Sequence, residues 1–177
     1  PADIVSRWVR RDAESEADWV LISLDPHLDR QTGRFFGAYA SGSVSDGIYA
    51  NDRDDDDTWN GVWEVKTAID ATGWVAEFRI PYYVLRFSPR EEYVWGLNIE
   101  RYISRKREHL HWNLMYKGEP GLVSQFGYLE GIRSINPPLH LEYTPYAMGR
   151  TIVDGGSDYF GNAGADIRYG ISSSLSL

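Results

Sequence analysis

The sequence contains no cysteine, so neither a disulfide framework nor a thiolate metal site is available to this chain. It also lacks any run of about eighteen apolar residues, the length that a membrane-spanning helix needs. Positive charge is scarce, because 18 Lys and Arg stand against 26 Asp and Glu, giving a net charge of −8. This balance argues against a nucleic-acid partner, which requires a basic surface. A nucleophile elbow, a phosphate-binding loop and an HExxH motif are all missing.

Aromatic residues, by contrast, make up 14% of the chain, with seven Trp and twelve Tyr, and such side chains favour a pleated sheet. Apolar and polar residues alternate through eight segments bounded by turn residues, which predicts strands. The predicted strands cover 18–25, 35–40, 61–69, 73–81, 93–103, 109–116, 139–153 and 165–177. Gly, Asp and Ser clusters at 25–33, 41–47 and 51–57 predict loops, and 82–87 predicts a short helical turn. The pattern indicates an all-β fold, an antiparallel β-sandwich or barrel.

The character of the chain changes at "RSINPPLH" (133–140), where Pro137 and Pro138 predict a connector. Before it, several strands carry apolar residues on both faces, as strands buried in a sandwich do. After it, the strands are two-faced. In "ADIRYGISSSLSL" (165–177), one set of alternate positions is almost entirely apolar and the other is wholly polar. Such a strand fits either a sheet with one solvated face or a transmembrane barrel, and the alternation alone leaves both open.

Several segments resemble a family of bacterial outer-membrane-associated proteins of unknown function, whose exported part is similar to the family 9 carbohydrate-binding module. These segments are 10–42, 58–87, 95–108 and 124–132, and "GWVAEFRIPYYVLRF" (73–87) is the most specific. In that family the module precedes a predicted outer-membrane barrel that begins near a stretch like "LEYTPYAMGR" (141–150). Strands that normally precede the equivalent of "ADIVSRWVRRD" (2–12) are missing, as is most of the barrel. We therefore expect this chain to be an internal piece of a longer protein.

The resemblance implies two domains: a β-sandwich over 1–133, and over 134–177 a linker followed by the first barrel strands. It implies a non-catalytic module that binds an oligosaccharide or polysaccharide in the periplasm or outer membrane of a Gram-negative bacterium, serving carbohydrate catabolism. The alternative is a structural or plug domain for its own barrel, without a sugar ligand. A third hypothesis is that the chain belongs to a glycan-processing hydrolase.

Two acidic loops predict cation binding, because Ca²⁺ takes six to eight oxygen ligands. The candidate ligands are Asp25 and Asp29 in one loop and Asp54 and Asp56 in the other. Family 9 modules, which this chain resembles, use bound calcium structurally. No Asp-x-Asp-x-Asp-Gly loop with a distal Glu is present, and solvated, mobile acidic loops are the alternative.

Aromatic side chains are the candidates for sugar contact, because a flat indole can cover the apolar face of a pyranose. The predicted ligand-binding residues are Trp59, Asn60, Trp63, Arg101 and Trp112, and Trp8 is a further candidate. The alternative is that these rings fill the core. Trp19, Trp74 and Trp95 lie inside strands with apolar neighbours and are predicted to be core residues.

Three weaker chemistries stay open. Glu77 and Glu100, in neighbouring predicted strands, could form the carboxylate pair of a glycosidase, although nearby Arg residues favour a structural role. His109 and His111 point the same way in a strand, as zinc ligands do, but no third ligand is evident. A haem held by Met and His is also considered, with Met115 and Met148 the only methionines and neither having an evident partner.

Overall fold

The structure of the protein is a computed structural model that describes residues 3–116, 118–137, 141–153 and 157–169. The chain divides into two compact units, Pro1–Pro137 and Pro138–Leu177. This boundary falls at the proline pair where the sequence predicts a connector. Within the described ranges, no helix is both long and apolar enough to cross a membrane.

The first unit is built from short strands. Its strands are β1 (Trp19–Asp25), β2 (Gly33–Tyr39), β3 (Val44–Ala50), β4 (Asp54–Asp56), β5 (Glu64–Ile69), β6 (Trp74–Arg79), β7 (Glu92–Ile103), β8 (Glu108–His111) and β9 (Gly127–Arg133). Single-turn 3-10 helices lie between some of them, at Tyr82–Val84, Ser104–Lys106 and Val123–Gln125.

Seven of these strands form one curled antiparallel sheet in the order β4-β3-β2-β1-β7-β8, with β9 also paired to β7. Strand β7 has twelve residues, long enough for two short strands to share one of its edges. One edge pairs with β1, and the other pairs with β9 near its start and with β8 near its end. Strands β5 and β6 form a separate antiparallel hairpin.

Successive side chains along a strand point to opposite sides, so the seven-stranded sheet has two distinct faces. We call the core face the side to which Leu24, Phe36 and Trp95 belong by register. The segment after β6 covers this face with Val84 and Phe87. The buried cluster consists of Leu24, Phe36, Val84, Leu85, Phe87, Tyr93 and Trp95. Each such side chain stabilises the fold by roughly 1.5–3 kcal/mol through burial, which makes this cluster the main core.

The β5–β6 hairpin packs against the same core through one of its faces. Burial alternates along both strands, and Phe78 contacts the core cluster. The ring of Trp63, just before β5, stacks on Phe78 at a centroid distance of 5.7 Å and meets the edge of Phe36 at 5.3 Å. The hairpin turn is held by Asp70, whose carboxylate accepts the N–H groups of Thr72 and Gly73. The core face is thus sealed by a second layer.

The segment before β1 is fixed to the sheet by a buried carboxylate. Asp46 on β3 is 0% exposed and accepts two hydrogen bonds from the Arg11 guanidinium, at 2.5 and 3.0 Å. Its other oxygen accepts the N–H of Gly61 at 2.6 Å. Because a buried charge needs both a counter-charge and hydrogen bonds, this arrangement ties three parts of the chain together.

The described part of the second unit is a single hairpin of two long strands. Strands β10 (Leu141–Val153) and β11 (Ser157–Tyr169) have thirteen residues each and pair in regular antiparallel register. By register, Tyr143, Ala147, Tyr159 and Ile167 share one face, whereas Arg150 and Asp166 lie on the other.

The predicted all-β, antiparallel class is confirmed, and so is the helical turn within 82–87, which forms at Tyr82–Val84. Two loop predictions are wrong: 41–47 contributes to β3, and the acidic run at 51–57 contains β4. Strand β9 was not predicted, and β11 begins earlier than 165. The predicted continuation of the alternating tail over 170–177 lies outside the described residues.

Candidate functional site

The side of the sheet opposite the core face is only partly covered, and we call it the open face. The register places on it alternate residues from six strands. These are Trp19, Leu21 and Ser23 of β1, Phe35, Gly37 and Tyr39 of β2, Ser45, Gly47 and Tyr49 of β3, Asp55 of β4, Glu100 and Tyr102 of β7, and His109 and His111 of β8.

One part of the open face is covered by the segment that contains the 3-10 helix Val123–Gln125. Val123 and Phe126 pack on Phe35 and Tyr49, and Leu21 borders this small cluster. Asp52 holds the covering segment, because its carboxylate accepts the N–H of Ser124 at 2.7 Å and its backbone oxygen accepts the N–H of Leu122 at 2.6 Å. Burial by itself favours a higher pKa for the Asp52 carboxyl. The hydrogen bonds from Ser124 and its neighbours have a larger, opposite effect, so the pKa is lowered.

The remainder of the open face forms an open cleft of about 700 Å³. Two glycines of the open face lie directly beneath neighbouring side chains. Gly37 has Leu21 and Ser45 so close that a Cβ would collide with them, and the Phe35 ring occupies the space over Gly47. A side chain at either position would displace these neighbours, so Gly37 and Gly47 allow close packing on this face of the sheet.

Three aromatic rings form a continuous group along the cleft. Trp19 stacks on Tyr102 with a centroid distance of 5.8 Å, and His109 packs against both rings at 5.7 and 4.7 Å. Trp19 and Tyr102 are half-buried rather than sealed, and all three side chains line the cleft. The cross-strand register explains the group, since Tyr102 lies between Trp19 and His109.

Carboxylates stand around these rings. Glu100 lies next to His109, with 2.6 Å between Oε1 and Nδ1, and 3.9 Å separates the same oxygen from His111 Nε2. Glu14 and Glu16 border the cleft from the segment before β1, and Asp55 borders it from the edge strand β4.

The pKa values of two tyrosines in the cleft lining are raised by burial and by nearby negative charges. Burial raises the pKa of Tyr49 well above its usual range, and the charges of Glu100 and Asp55 raise it further, whereas a hydrogen bond with Ser23 opposes them. Burial likewise raises the pKa of Tyr39, opposed by a hydrogen bond from Ser15 and assisted by the charge of Glu14. Both phenols are therefore neutral at ordinary pH, and Tyr39 donates to the carbonyl of Ala13.

The residues predicted from sequence to bind sugar lie outside this cleft. Trp63 packs in the core, stacked on Phe78. One side of the Trp59 ring is covered by the Arg34 guanidinium, 4.3 Å from the ring centre, and the ring packs against Phe36 at an interplanar angle of 79°. Burial, with the neighbouring charge of Arg86, lowers the pKa of Arg34 to about 10. Both indoles therefore contribute to packing, and their contact with sugar stays a prediction.

The other predicted sugar contacts are also elsewhere. Asn60 is exposed and donates to the carbonyl of Thr58. Arg101 is exposed and belongs to the opposite register from the cleft residues. Trp112 is 58% exposed with its ring against Gly127, away from the cleft. The prediction that Trp19 is a core residue is wrong, since it lines the cleft. Trp95 is 2% exposed, as predicted for the core.

The predicted calcium ligands act as turn caps in this structure. Asp25 is fully buried and accepts the N–H groups of Asp29 and Arg30; burial raises its pKa in spite of these bonds. Asp29 accepts bonds from Gln31 and from both the N–H and the hydroxyl of Thr32.

In the second acidic loop, Asp54 accepts a bond from Asn51, and Asp56 accepts the N–H and hydroxyl of Thr58, which lower its pKa. Over the part of the chain that the structure describes, no three His, Cys, Asp or Glu side chains are arranged to hold a metal ion. The calcium site stays a prediction.

The structure also shows where the predicted Glu77–Glu100 and His109–His111 pairs lie. Glu77 lies on β6 in the hairpin, whereas Glu100 lies on β7 in the large sheet, so the two are not on neighbouring strands. His109 and His111 do point the same way, as predicted, and Glu100 is the group they share.

Among the cleft residues that sequence reasoning assigned to no site are Tyr102, Glu14 and Glu16. A signal for Tyr102 and Glu100 was present, because they alternate with apolar Leu97, Ile99 and Ile103 along β7. No comparable signal marked Glu14 or Glu16, which lie in an irregular segment. Only the pairing of β4 with β3 brings Asp55 to the open face.

Comparison with family models, curated proteins and solved structures finds no match to this chain. The functional interpretation therefore depends on the geometry of the cleft.

Proposed function

We propose that the first unit is a non-catalytic carbohydrate-binding module, and that the cleft on the open face is its binding site. The observation that carries this proposal is the aromatic group of Trp19, Tyr102 and His109 along an open cleft of about 700 Å³. That volume falls in the range of small-molecule sites, about 300–1,000 Å³.

The chemistry of the lining suits a saccharide. Sugar rings present apolar C–H faces, which pack on aromatic surfaces, and a rim of hydroxyls, which need hydrogen-bond partners. Trp19 and Tyr102 supply the aromatic surface, and Glu100, Asp55 and Ser45 supply acceptors around it.

Binding is tested by isothermal titration of the full chain with neutral oligosaccharides, including cello-, xylo- and N-acetylchito-oligosaccharides. We expect Trp19→Ala to weaken binding on the order of tenfold or more, equivalent to roughly 1.4 kcal/mol. Trp8→Ala is the matched control, because Trp8 is 80% exposed and outside the cleft lining, and it should bind as the unmodified chain does. A folded chain that binds no oligosaccharide would contradict the proposal.

We also propose that the module belongs to the envelope of a Gram-negative bacterium, in the periplasm or outer membrane, with the β10–β11 hairpin as the beginning of a barrel. Support comes from the strand length, since thirteen residues exceed the roughly 9–11 that a tilted strand needs to cross a bilayer. Further support is the uncharged face that carries Tyr143, Ala147, Tyr159 and Ile167. Fractionation of cells expressing the complete gene should recover the protein with outer membranes; recovery in the soluble fraction would contradict this assignment.

The alternative function, a plug or assembly partner for the barrel, predicts a different result. Deletion of residues 1–133 from the complete protein should then change barrel insertion or conductance. Under the glycan-binding proposal, the deletion abolishes oligosaccharide binding and leaves insertion and conductance unchanged.

A further inference from the structure

The formal charges in the cleft lining are of one sign, which is negative. Four carboxylates line it, those of Glu14, Glu16, Asp55 and Glu100, and its lining contains neither Lys nor Arg. His109 is the one basic side chain of the lining, and it is already bound to Glu100.

These carboxylates approach the cleft from different sides. Glu14 and Glu16 precede β1, Asp55 is on edge strand β4, and Glu100 is on β7, four strand positions from β4 in the sheet. All four nevertheless line the same cleft, and the charges of Asp55 and Glu100 both raise the pKa of Tyr49. A bound ligand would therefore lie within a convergent negative potential.

Three of the four have no side-chain partner within the described ranges. No ion pair or side-chain hydrogen bond in those ranges engages the carboxylates of Glu14, Glu16 or Asp55, in contrast to surface pairs such as Arg133 with Glu92 at 2.7 Å. Like charges grouped without counter-ions around a concave surface raise the local concentration of cations.

We propose that the cleft selects saccharides that carry protonated amines, that is, amino sugars such as glucosamine oligomers, over neutral and acidic saccharides. This inference rests on the proposed carbohydrate-binding function and names the substrate class. A sugar ammonium gains charge-assisted hydrogen bonds to the carboxylates and a favourable contact with the faces of Trp19 and Tyr102. A uronate or sulfated sugar instead meets four like charges and no basic partner in the lining other than His109.

The test is isothermal titration of the full chain with three oligomers of equal length: glucosamine, N-acetylglucosamine and galacturonate. The pH is kept above about 5, where carboxylates are ionised, and below the pKa of the sugar amine. We expect the glucosamine oligomer to bind roughly tenfold more tightly than its acetylated counterpart, with a preference that declines as salt is raised. The galacturonate oligomer should show no measurable binding.

Charge variants identify the responsible groups. Glu16→Gln and Asp55→Asn should each weaken binding of the glucosamine oligomer more than binding of the acetylated oligomer, so that the preference for the amine falls. Glu77→Gln removes an exposed carboxylate of the hairpin, outside the cleft lining, and should leave the preference intact. Thermal melts of all variants establish that they are folded.

Each outcome has one meaning. Equal affinity for the amine-bearing and acetylated oligomers would overturn this inference while the carbohydrate-binding function stands. Absence of binding to every saccharide would overturn the proposed function as well. Equally tight binding of spermidine, lost in the same two charge variants, would show a general cation site and overturn the assignment to amino sugars.

Discussion

On the core face of the sheet, Phe36 and Trp95 lie beneath the β5–β6 hairpin and the segment around Phe87, and both are almost completely buried. Phe35, which precedes Phe36 on β2, lies on the open face and is covered by the short segment around Val123. Farther along that face, Trp19 and Tyr102 are left beside a cleft. The same strands therefore supply a sealed layer and a binding surface. The difference comes from what the connecting segments cover, because both faces carry large aromatic side chains.

The largest expected effect is on the core face. Phe36→Ala should lower the free energy of unfolding by about 3–5 kcal/mol, since it empties a fully buried site that contacts Trp59 and Trp63. Urea denaturation measures this loss. A change below about 1 kcal/mol would show that the core face is not the main source of stability.

A smaller loss is expected where the segment before β1 is anchored. Asp46→Asn removes the charge that pairs with Arg11 but keeps the shape, and we expect a loss of roughly 1.5–3 kcal/mol. The loss is moderated because the Arg11 side chain is 36% exposed and can reach water. Unfolding free energies of Arg11→Ala and of the double variant with Asp46→Asn give the coupling energy between the two side chains. Coupling near zero would contradict the anchoring role.

Trp19→Ala on the open face should separate stability from binding. Because the ring is half-buried beside a cleft, we expect a loss of stability below that of Phe36→Ala, about 1–2 kcal/mol, together with the loss of oligosaccharide affinity described above. Denaturation and titration of the same preparation provide both values. A loss of stability as large as that of Phe36→Ala would place Trp19 in the core instead.

The smallest effect concerns the segment that partly covers the open face. The pKa of Asp52 is lowered in the folded state, so its contribution to stability is present above about pH 4 and is lost as pH falls through the lowered value. Asp52→Asn should flatten the dependence of the melting temperature on pH between about 4 and 2, with a change below roughly 1 kcal/mol near neutrality, since the amide oxygen still accepts N–H bonds. Glu77→Gln, at an exposed position of the β5–β6 hairpin, is the comparison variant. An unaltered pH profile in Asp52→Asn would contradict this role.

Several features could be predicted from sequence because they depend on local pattern. The alternation in β1, β7 and the β5–β6 hairpin identified these strands to within a few residues, and Pro81 marked the turn at Tyr82–Val84. Strand β3 escaped prediction because Ser45, Asp46 and Gly47 have low strand propensity. Asp46 is accommodated inside only because Arg11 and Gly61, distant in sequence, supply its partners.

The tryptophans also show that local sequence pattern does not predict which side chains line the cleft. Trp59 and Trp63 follow an acidic loop and are predicted to contact sugar, and the structure places Arg34 on one side of Trp59 and Phe78 against Trp63. Trp19 has apolar neighbours in sequence and was predicted to be buried, yet it lines the cleft. Indole exposure depends on which distant segment lies over it, and that information is absent from a local window.

The sequence alone determined the all-β class, most strand positions, the connector at Pro137 and the excess of negative charge, because each follows from residue type and short-range spacing. The tertiary structure decided which face of the sheet is sealed, where Trp19, Tyr102 and His109 meet, and how four separate carboxylates come to surround one cleft. Those outcomes depend on strand register and on contacts between residues far apart in the chain, which pairing across the sheet fixes and composition does not.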